Sequence, residues 1–365
     1  MTSRRVAVLG AGNGGRTAAA EFSLGGHEVT LFDVPAFAAG LAEIEARGAI
    51  TAVGQISGTA PVRVELDLGR AIAGSDAIVV VVPTNLHRMF ATMLGPLLGD
   101  GMNVVLMPGS LGSLDFAQSL REQGVTAEVT VSEIAALPYA TRITGPAEVT
   151  VHGRRKIVSA GVFPADRTDE VALILNDLYP GIDLMANVLE AGLSNPNPTL
   201  HCLGVLLSAS RIEYSHGEFY YYEEGMTPYV CQAIEAIDDE RVAIGRRLGI
   251  KLLSLKDTYP AMGYGPSGDT FWSVIRGVRA LAGIKGPAHI DSRYLTEDVP
   301  IGLTIYAQLG RQIGVKPVLM ESVIHLTRAL LATDFGDTPR TLERCGLAGM
   351  DRDQILTYVS TGQPG

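Results

Sequence analysis

The stretch RRVAVLGAGNGGRTAAAEFSLGGHEVTLFD, residues 4–33, constrains this chain more than any other. It reads as a β-branched strand (Val6 to Leu9), a glycine turn, an alanine-rich helix and a second strand (Glu28 to Phe32) that ends at Asp33. Gly10, Gly12 and Gly15 stand in G-x-G-x-x-G spacing. The three glycines answer different demands. Gly10 permits a tight turn, Gly12 lets backbone approach a pyrophosphate, and Gly15 lets the helix pack closely on the strand. The helix starting there points free amides and the positive end of its dipole at phosphates. A dinucleotide site built on Gly10, Gly12, Asn13, Gly14, Gly15 and Asp33 is expected. A carboxylate at Asp33 accepts from ribose hydroxyls and repels a 2′-phosphate, and Val34, Pro35 and Ala36 after it supply no cation. NAD is therefore favoured, with NADP left open.

The same rhythm continues downstream. Residues 75–84 and 102–112 contain near-continuous apolar runs of the kind buried on both faces of a parallel sheet. Their ends place Val82, Pro83, Pro108 and Gly109 near the nicotinamide half of the cofactor. A further strand is expected within 127–142, ending in a polar cluster of Glu133, Tyr139 and Arg142. Residues 146–164 read as two strands joined at His152 to Arg154, an antiparallel extension of the sheet. From about residue 190 the period becomes helical, over 197–215, 227–250, 299–314 and 316–335. Thr227 followed by Pro228 marks a capped helix start. The expected class is α/β: a Rossmann-type doubly wound sheet with an antiparallel extension over 1–185, then an all-helical domain over 186–365.

Composition limits the partners. A chain of 365 residues, 47% hydrophobic and 19% charged, suits two domains with substantial cores. A net charge of −10, with no basic run longer than GRRK at 153–156, argues against nucleic acid or an anionic membrane and for a small molecule. Cys202, Cys231 and Cys345 are odd in number and widely separated, which fits buried thiols and neither a disulfide framework nor a metal site. The apolar run before the first glycines is shorter than the core of a signal peptide, and no stretch reaches membrane-spanning length. A cytoplasmic protein is expected.

The segment LSNPNPTLHCLG, residues 193–204, carries unusual polar apparatus for a helix. Several two-domain dehydrogenases place a lysine proton donor near the start of the helical domain, yet no lysine occurs between Lys156 and Lys251. Asn195, Asn197 and His201 stand there instead. A helix starting near Pro196 or Pro198 puts Asn197 and His201 on one side, among Leu200, Leu203, Val205 and Leu206. A helical histidine is by default a satisfied core or surface residue; its position makes His201 the candidate acid/base and Asn197 a candidate substrate contact.

The chain resembles the opine dehydrogenases of the octopine/nopaline group, among them bacterial N-(1-carboxyethyl)-norvaline dehydrogenase, over nearly its whole length. The motifs that carry the resemblance are VLGAGNGG (8–15), VVP (81–83), PGSLG (108–112), SE (132–133), NPNPTLH (195–201), GMTP (225–228) and SRYLTEDVPIGL (292–303). The resemblance implies NAD(P)H-dependent condensation of an α-keto acid such as pyruvate with the amino group of an amino acid, through an imine that takes hydride on carbon. It also implies that His201 is the catalytic histidine, Asp298 its paired aspartate and Arg293 an anchor for a substrate carboxylate. The chemistry agrees, since carbinolamine formation and dehydration need a group that exchanges protons near neutral pH. Glu133 is a candidate for the amino group or a basic side chain. Tyr264, Phe271, Trp272 and the tyrosines of EFYYYEEG (218–225) are weaker candidates for the side-chain pocket, since such aromatics more often pack in cores. Two alternatives share the fold: a 2-keto acid/2-hydroxy acid dehydrogenase that needs no amine, and an NADH-sensing regulator, against which the acidic charge and lack of a basic helix speak. The apolar C-terminal helices either close the core or form a homodimer interface.

Overall fold

The apolar runs become the middle of an eight-stranded sheet. In spatial order it contains Asp183–Leu184, Ser159–Phe163, Thr130–Ile134, Asn103–Leu106, Ala77–Val80, Arg5–Leu9, Glu28–Phe32 and Arg63–Val64. This computed structural model describes residues 2–263 and 265–363. Arg5–Leu9 pairs in parallel with both Glu28–Phe32 and Ala77–Val80, so the strand order reverses at the first strand. That is where open α/β sheets present a ligand crevice. Ser159–Phe163 runs antiparallel to Thr130–Ile134 and supplies the expected extension.

One expectation is corrected. Residues 146–164 do not form a hairpin on this sheet. Glu148–Arg154 pairs antiparallel with Tyr139–Gly145 and parallel with Ala49–Gly54, in a separate four-stranded sheet bounded by Gly58–Pro61. The physical distinction is burial: Glu148–Arg154 hides only Val149 and Val151, as a half-buried strand does, whereas Ser159–Phe163 is buried along nearly its whole length. The run at 127–142 is divided likewise, between Thr130–Ile134 in the large sheet and Tyr139–Gly145 in the small one.

Residues up to Gly192, together with those from Thr357 on, form one unit, and Leu193–Leu356 form the other. The division falls later than 185 because the helix Val188–Leu193 packs on the first unit, where a Cβ on Gly192 would come within 2.4 Å of the Leu111 side chain. The chain's end belongs there too, since Arg121 donates to Gly362 O at 2.6 Å and the Tyr358 and Phe163 rings lie 5.3 Å apart.

The second unit is helical and is organised by Pro228–Leu248. Thr227 caps this helix by accepting from Val230 N, Pro228 takes the first position, and Gly249 ends it with φ of 81°. Its buried Asp238 and Arg241 form an ion pair at 2.7 Å. Asp238 also accepts from Leu255 N at 2.7 Å and from the Thr199 hydroxyl, while Arg241 donates to Leu193 O at 2.8 Å and Leu253 O at 2.6 Å. The pair thus fixes the start of the helix Asn197–Leu207. Farther on come a π-helical segment, Asp298–Leu303, and the helices Thr304–Gln312 and Val318–Leu331. The three cysteines are buried. Among the described residues no helix is long and apolar enough to cross a membrane.

Removing Arg241 leaves Asp238 buried without its counter-charge. Arg241→Leu is predicted to cost about 3–5 kcal/mol in urea denaturation; a loss below about 1 kcal/mol would mean that the pair does not organise the second unit.

Candidate active site

In the first unit the glycine turn leaves no choice of residue at two positions. Gly10 has φ of +102°, and a Cβ on Gly15 would lie 1.7 Å from Gly10 O, so helix and strand approach through bare backbone. Gly12 is different: nothing lies within 4 Å of the place its Cβ would take, which is the open cradle a pyrophosphate needs. In the helix Asn13–Leu24, Arg16 N bonds back to Gly12 O at 3.0 Å, and the amides before it are those a phosphate would meet. Asp33 accepts from Ala11 N and from Val34 N, each at 2.8 Å.

A cavity of about 490 Å³ opens on this turn. Of the residues expected at a dinucleotide, Gly10, Gly12, Asp33, Val82 and Pro83 line it, and so do Arg16, Phe37 and Met89, which the sequence did not single out. Asn13 reaches elsewhere with its side-chain oxygen, which accepts from Ile143 N at 2.8 Å. Gly14 and Gly15 stand behind the turn, against Val81 and Gly10. The residues present fit a dinucleotide.

Glu133, the candidate for the amino group or a basic side chain, is engaged by backbone of its own unit. It is fully buried, with its carboxylate accepting from Leu111 N at 3.0 Å, Ser113 N at 3.1 Å and the Ser113 hydroxyl at 2.6 Å. It holds the PGSLG loop, in which Ser110 and Leu111 have φ of 53° and 62°. A carboxylate satisfied by that loop's amides anchors backbone.

In the second unit His201 and Asp298 come together although far apart in sequence. His201 Nδ1 lies 2.9 Å from Asp298 Oδ2, with the two side chains 12% and 18% exposed. The segments carrying them meet where a Cβ on Gly302 would fall 2.3 Å from Pro198, so the glycine of VPIGL seats the proline of NPNP. Asn195 accepts from Asn197 N at 3.1 Å and shapes the helix start, while Asn197 stands half-buried one turn before His201. Burial raises the Asp298 carboxyl above the usual range, and the His201 hydrogen bond and charge pull it back. With that carboxylate ionised, Nδ1–H donates to Asp298 and Nε2 is left as the acceptor. Nε2 lies 3.3 Å from the Tyr222 hydroxyl, whose burial holds it protonated and therefore able to donate. The Tyr294 ring lies 4.3 Å from the imidazole and covers it.

Arg293 lies at the surface, 73% exposed, on the short helix Arg293–Thr296, and its Nε donates to Glu297 at 2.6 Å. Phe271 is fully buried and is removed from the candidates for a side-chain pocket, Trp272 remains partly exposed, and Tyr264 lies outside the described residues. Tyr222 and Tyr294 were visible only as members of a tyrosine run and of the motif holding Arg293 and Asp298.

Comparison with known proteins gives the family. Residues 184–331 match the family model described as NAD/NADP octopine/nopaline dehydrogenase, alpha-helical domain, and residues 5–135 match NAD-dependent glycerol-3-phosphate dehydrogenase N-terminus. Opine dehydrogenase of Arthrobacter sp. (strain 1C) is 36% identical over 362 residues, covering 98% of this chain and 99% of the relative. Octopine dehydrogenase solved with NADH and L-arginine superposes with a TM-score of 0.74 at 20% identity, covering 97% of this chain and 98% of that one. Yersinopine dehydrogenase solved with NADP+ gives 0.70 at 16% identity, with 98% of each chain covered. Because a relative of that identity spans both chains almost end to end, the chain belongs to the opine dehydrogenase family of NAD(P)-dependent oxidoreductases acting on CH–NH donors.

Proposed function

We propose that the protein joins an α-keto acid such as pyruvate to the amino group of an amino acid and reduces the resulting imine to a secondary amine. The observation that carries this reading is the His201–Asp298 pair at 2.9 Å, in a mostly buried setting, in a member of this family. The ligands of solved octopine dehydrogenases, L-arginine in one structure and pyruvate in another, support the substrate class.

NADH, when bound, supplies the hydride. The chain's own residues handle protons and orientation. Nε2 of His201 first takes a proton from the substrate's ammonium group, which frees the amine to add to the keto carbon, and a second proton passes from that nitrogen to the alkoxide to give the carbinolamine. The imidazolium then protonates the carbinolamine hydroxyl, which leaves as water as the C=N bond of the iminium forms. Asp298 fixes the tautomer through Nδ1–H and stabilises the imidazolium. Tyr222 holds the ring's other nitrogen in register, and the Tyr294 ring shields one face from water. Arg293 turns its planar fork from Glu297 to the keto-acid carboxylate, and Asn197 hydrogen-bonds the substrate one turn from His201.

Asp33 in the cavity wall supports NAD over NADP, because a 2′-phosphate there meets a carboxylate. Three buried cysteines, widely separated in sequence, support a reducing compartment, the cytoplasm. Leu319, Leu326 and Leu330, exposed on one helix, support a homodimer, which light scattering tests.

The direct test is NADH oxidation with pyruvate, with and without a mixture of L-amino acids. Turnover that requires the amine supports the reading, and equal turnover with keto acid alone contradicts it. His201→Ala is predicted to lower kcat by about 100-fold or more while leaving NADH binding, read by fluorescence, intact. Because Asp298 titrates above the usual carboxylate range and acts as the anion, activity should fall on acidification at a higher pH than an ordinary aspartate would give. Asp298→Asn is predicted to remove most of kcat at every pH, and wild-type kcat in that variant would contradict the pairing. Arg293→Met should raise KM for the keto acid by about 10-fold or more with NADH affinity unchanged, the scale of a lost charge-assisted bond. Asp33→Ser should shift the NADH/NADPH preference toward NADPH by a similar factor; an unaltered ratio would remove Asp33 from cofactor choice.

A further inference from the structure

Arg16 directly follows the third glycine of the fingerprint, and no part of the proposed chemistry uses it. It is 6% exposed, on the helix Asn13–Leu24. Nε donates to Ala11 O at 2.8 Å, Nη1 to Pro146 O at 2.6 Å and Nη2 to Gly40 O at 2.7 Å. The three carbonyls belong to three separate segments. Ala11 is in the glycine turn, Gly40 in the 3-10 run Pro35–Leu41 after the second strand, and Pro146 in the turn between Tyr139–Gly145 and Glu148–Arg154. A single guanidinium therefore fastens the phosphate turn to two other pieces of backbone. Only arginine has the donors and the planar spread for this; lysine offers one point.

Two features give the clasp a functional direction. First, Arg16, Ala11 and Gly40 all line the cavity, and Arg16 and Asp33 are the charged residues among its described lining. The Ala11 peptide is held at both ends, its N–H by Asp33 at 2.8 Å and its oxygen by Arg16 at 2.8 Å, so the turn that presents the Gly12 cradle cannot rotate. Burial pushes the Arg16 guanidinium down and the Asp33 charge pulls it up. Second, Pro35–Leu41 has little to hold it in place by packing: of its residues only Leu41 is buried. Yet it contributes Ala36, Phe37, Ala39 and Gly40 to the cavity wall, and Phe37 stands there 64% exposed. An exposed phenylalanine on the rim of a dinucleotide cavity offers a flat apolar face to a purine.

We propose that Arg16 is a positioning residue for the adenosine half of the cofactor, fastening Pro35–Leu41 to the glycine turn so that Phe37 forms the wall against which the adenine lies. The inference rests on the cofactor reading given above and adds to it the residue that builds that half of the site. It assigns the loss on substitution to binding of the ADP-ribose portion, which carries no reacting atom, and not to the acid/base pair in the other unit.

The test titrates NADH, NADPH and ADP-ribose into wild type, Arg16→Lys and Phe37→Ala, following protein fluorescence, with thermal melts of each variant. Arg16→Lys should raise Kd for NADH and for ADP-ribose alike by about 10-fold or more, the scale of one or two charge-assisted hydrogen bonds. In turnover the loss should fall on KM for NADH and spare KM for the keto acid. Phe37→Ala, an exposed change that leaves the fold intact, should weaken ADP-ribose several-fold. If both variants bind ADP-ribose as wild type does, or if Arg16→Lys weakens NADH but not ADP-ribose, the proposal is overturned. If Arg16→Lys melts below the assay temperature, Phe37→Ala alone decides, and wild-type affinity in it overturns the proposal. Wild type that binds neither NADH nor NADPH removes the cofactor reading itself, an outcome distinct from wild-type binding in the variants.

Discussion

The hydrogen bond between His201 Nδ1 and Asp298 is the interaction on which the proposed chemistry depends. A histidine alone in a helix exchanges protons but has no fixed tautomer. A buried carboxylate on one nitrogen commits the other to accepting. Much of the second unit can be understood as the apparatus that keeps these groups 2.9 Å apart. Gly302 lets the π-helical segment close on Pro198, and the Asp238–Arg241 pair fixes the backbone at Leu193 and, through Thr199, the first turn of the histidine's helix. The NPNPTLH segment carries polar residues because its start is held by side-chain and backbone hydrogen bonds and its face presents His201 to Asp298.

The first unit follows the same logic with backbone groups. At the glycine turn the closest approach is between main-chain atoms, Gly15 against Gly10 O, and two of the unit's buried charges, Arg16 and Glu133, are satisfied largely by peptide groups. Asp33 and Arg16 grip the Ala11 peptide, and Glu133 gathers the amides of Leu111 and Ser113. Backbone held in this way is preorganised, so the cost of ordering the phosphate turn is met in folding and not at binding.

What the sequence made legible follows from range. The strand–turn–helix–strand unit at the N-terminus is local, and its glycine spacing, its strands and the acid at its tip stand where the pattern placed them. The capped start at Thr227–Pro228 is local too. Long-range pairing was not legible: Ala49–Gly54 finds Glu148–Arg154 about a hundred residues away, and no spacing rule announces a second sheet. The hold of Glu133 on the PGSLG loop was not legible, because a carboxylate serving backbone amides has the same letter as one serving a substrate. Arg16 was invisible for a related reason, since backbone carbonyl partners leave no trace in residue identity. Tyr222 sat within a tyrosine run whose members differ in what they touch. Tyr221 is buried with its hydroxyl on His201 O, Tyr220 is partly exposed, and Tyr222 meets the imidazole. In the second unit His201 and Asn197 stood out through their place in a lysine-free stretch, and Asp298 and Arg293 through motif resemblance.

If the chemistry is as proposed, carbon–nitrogen bond formation and hydride transfer occur on one substrate carbon. A reaction with NADH deuterated at the transferred position, pyruvate and a 15N-labelled amino acid mixture reads both events at once, with products followed by mass spectrometry and NMR. The expected product is a secondary amine that carries 15N, with deuterium on the former keto carbon. Deuterium found in a 2-hydroxy acid, with the labelled amino acids returned unchanged, would contradict it.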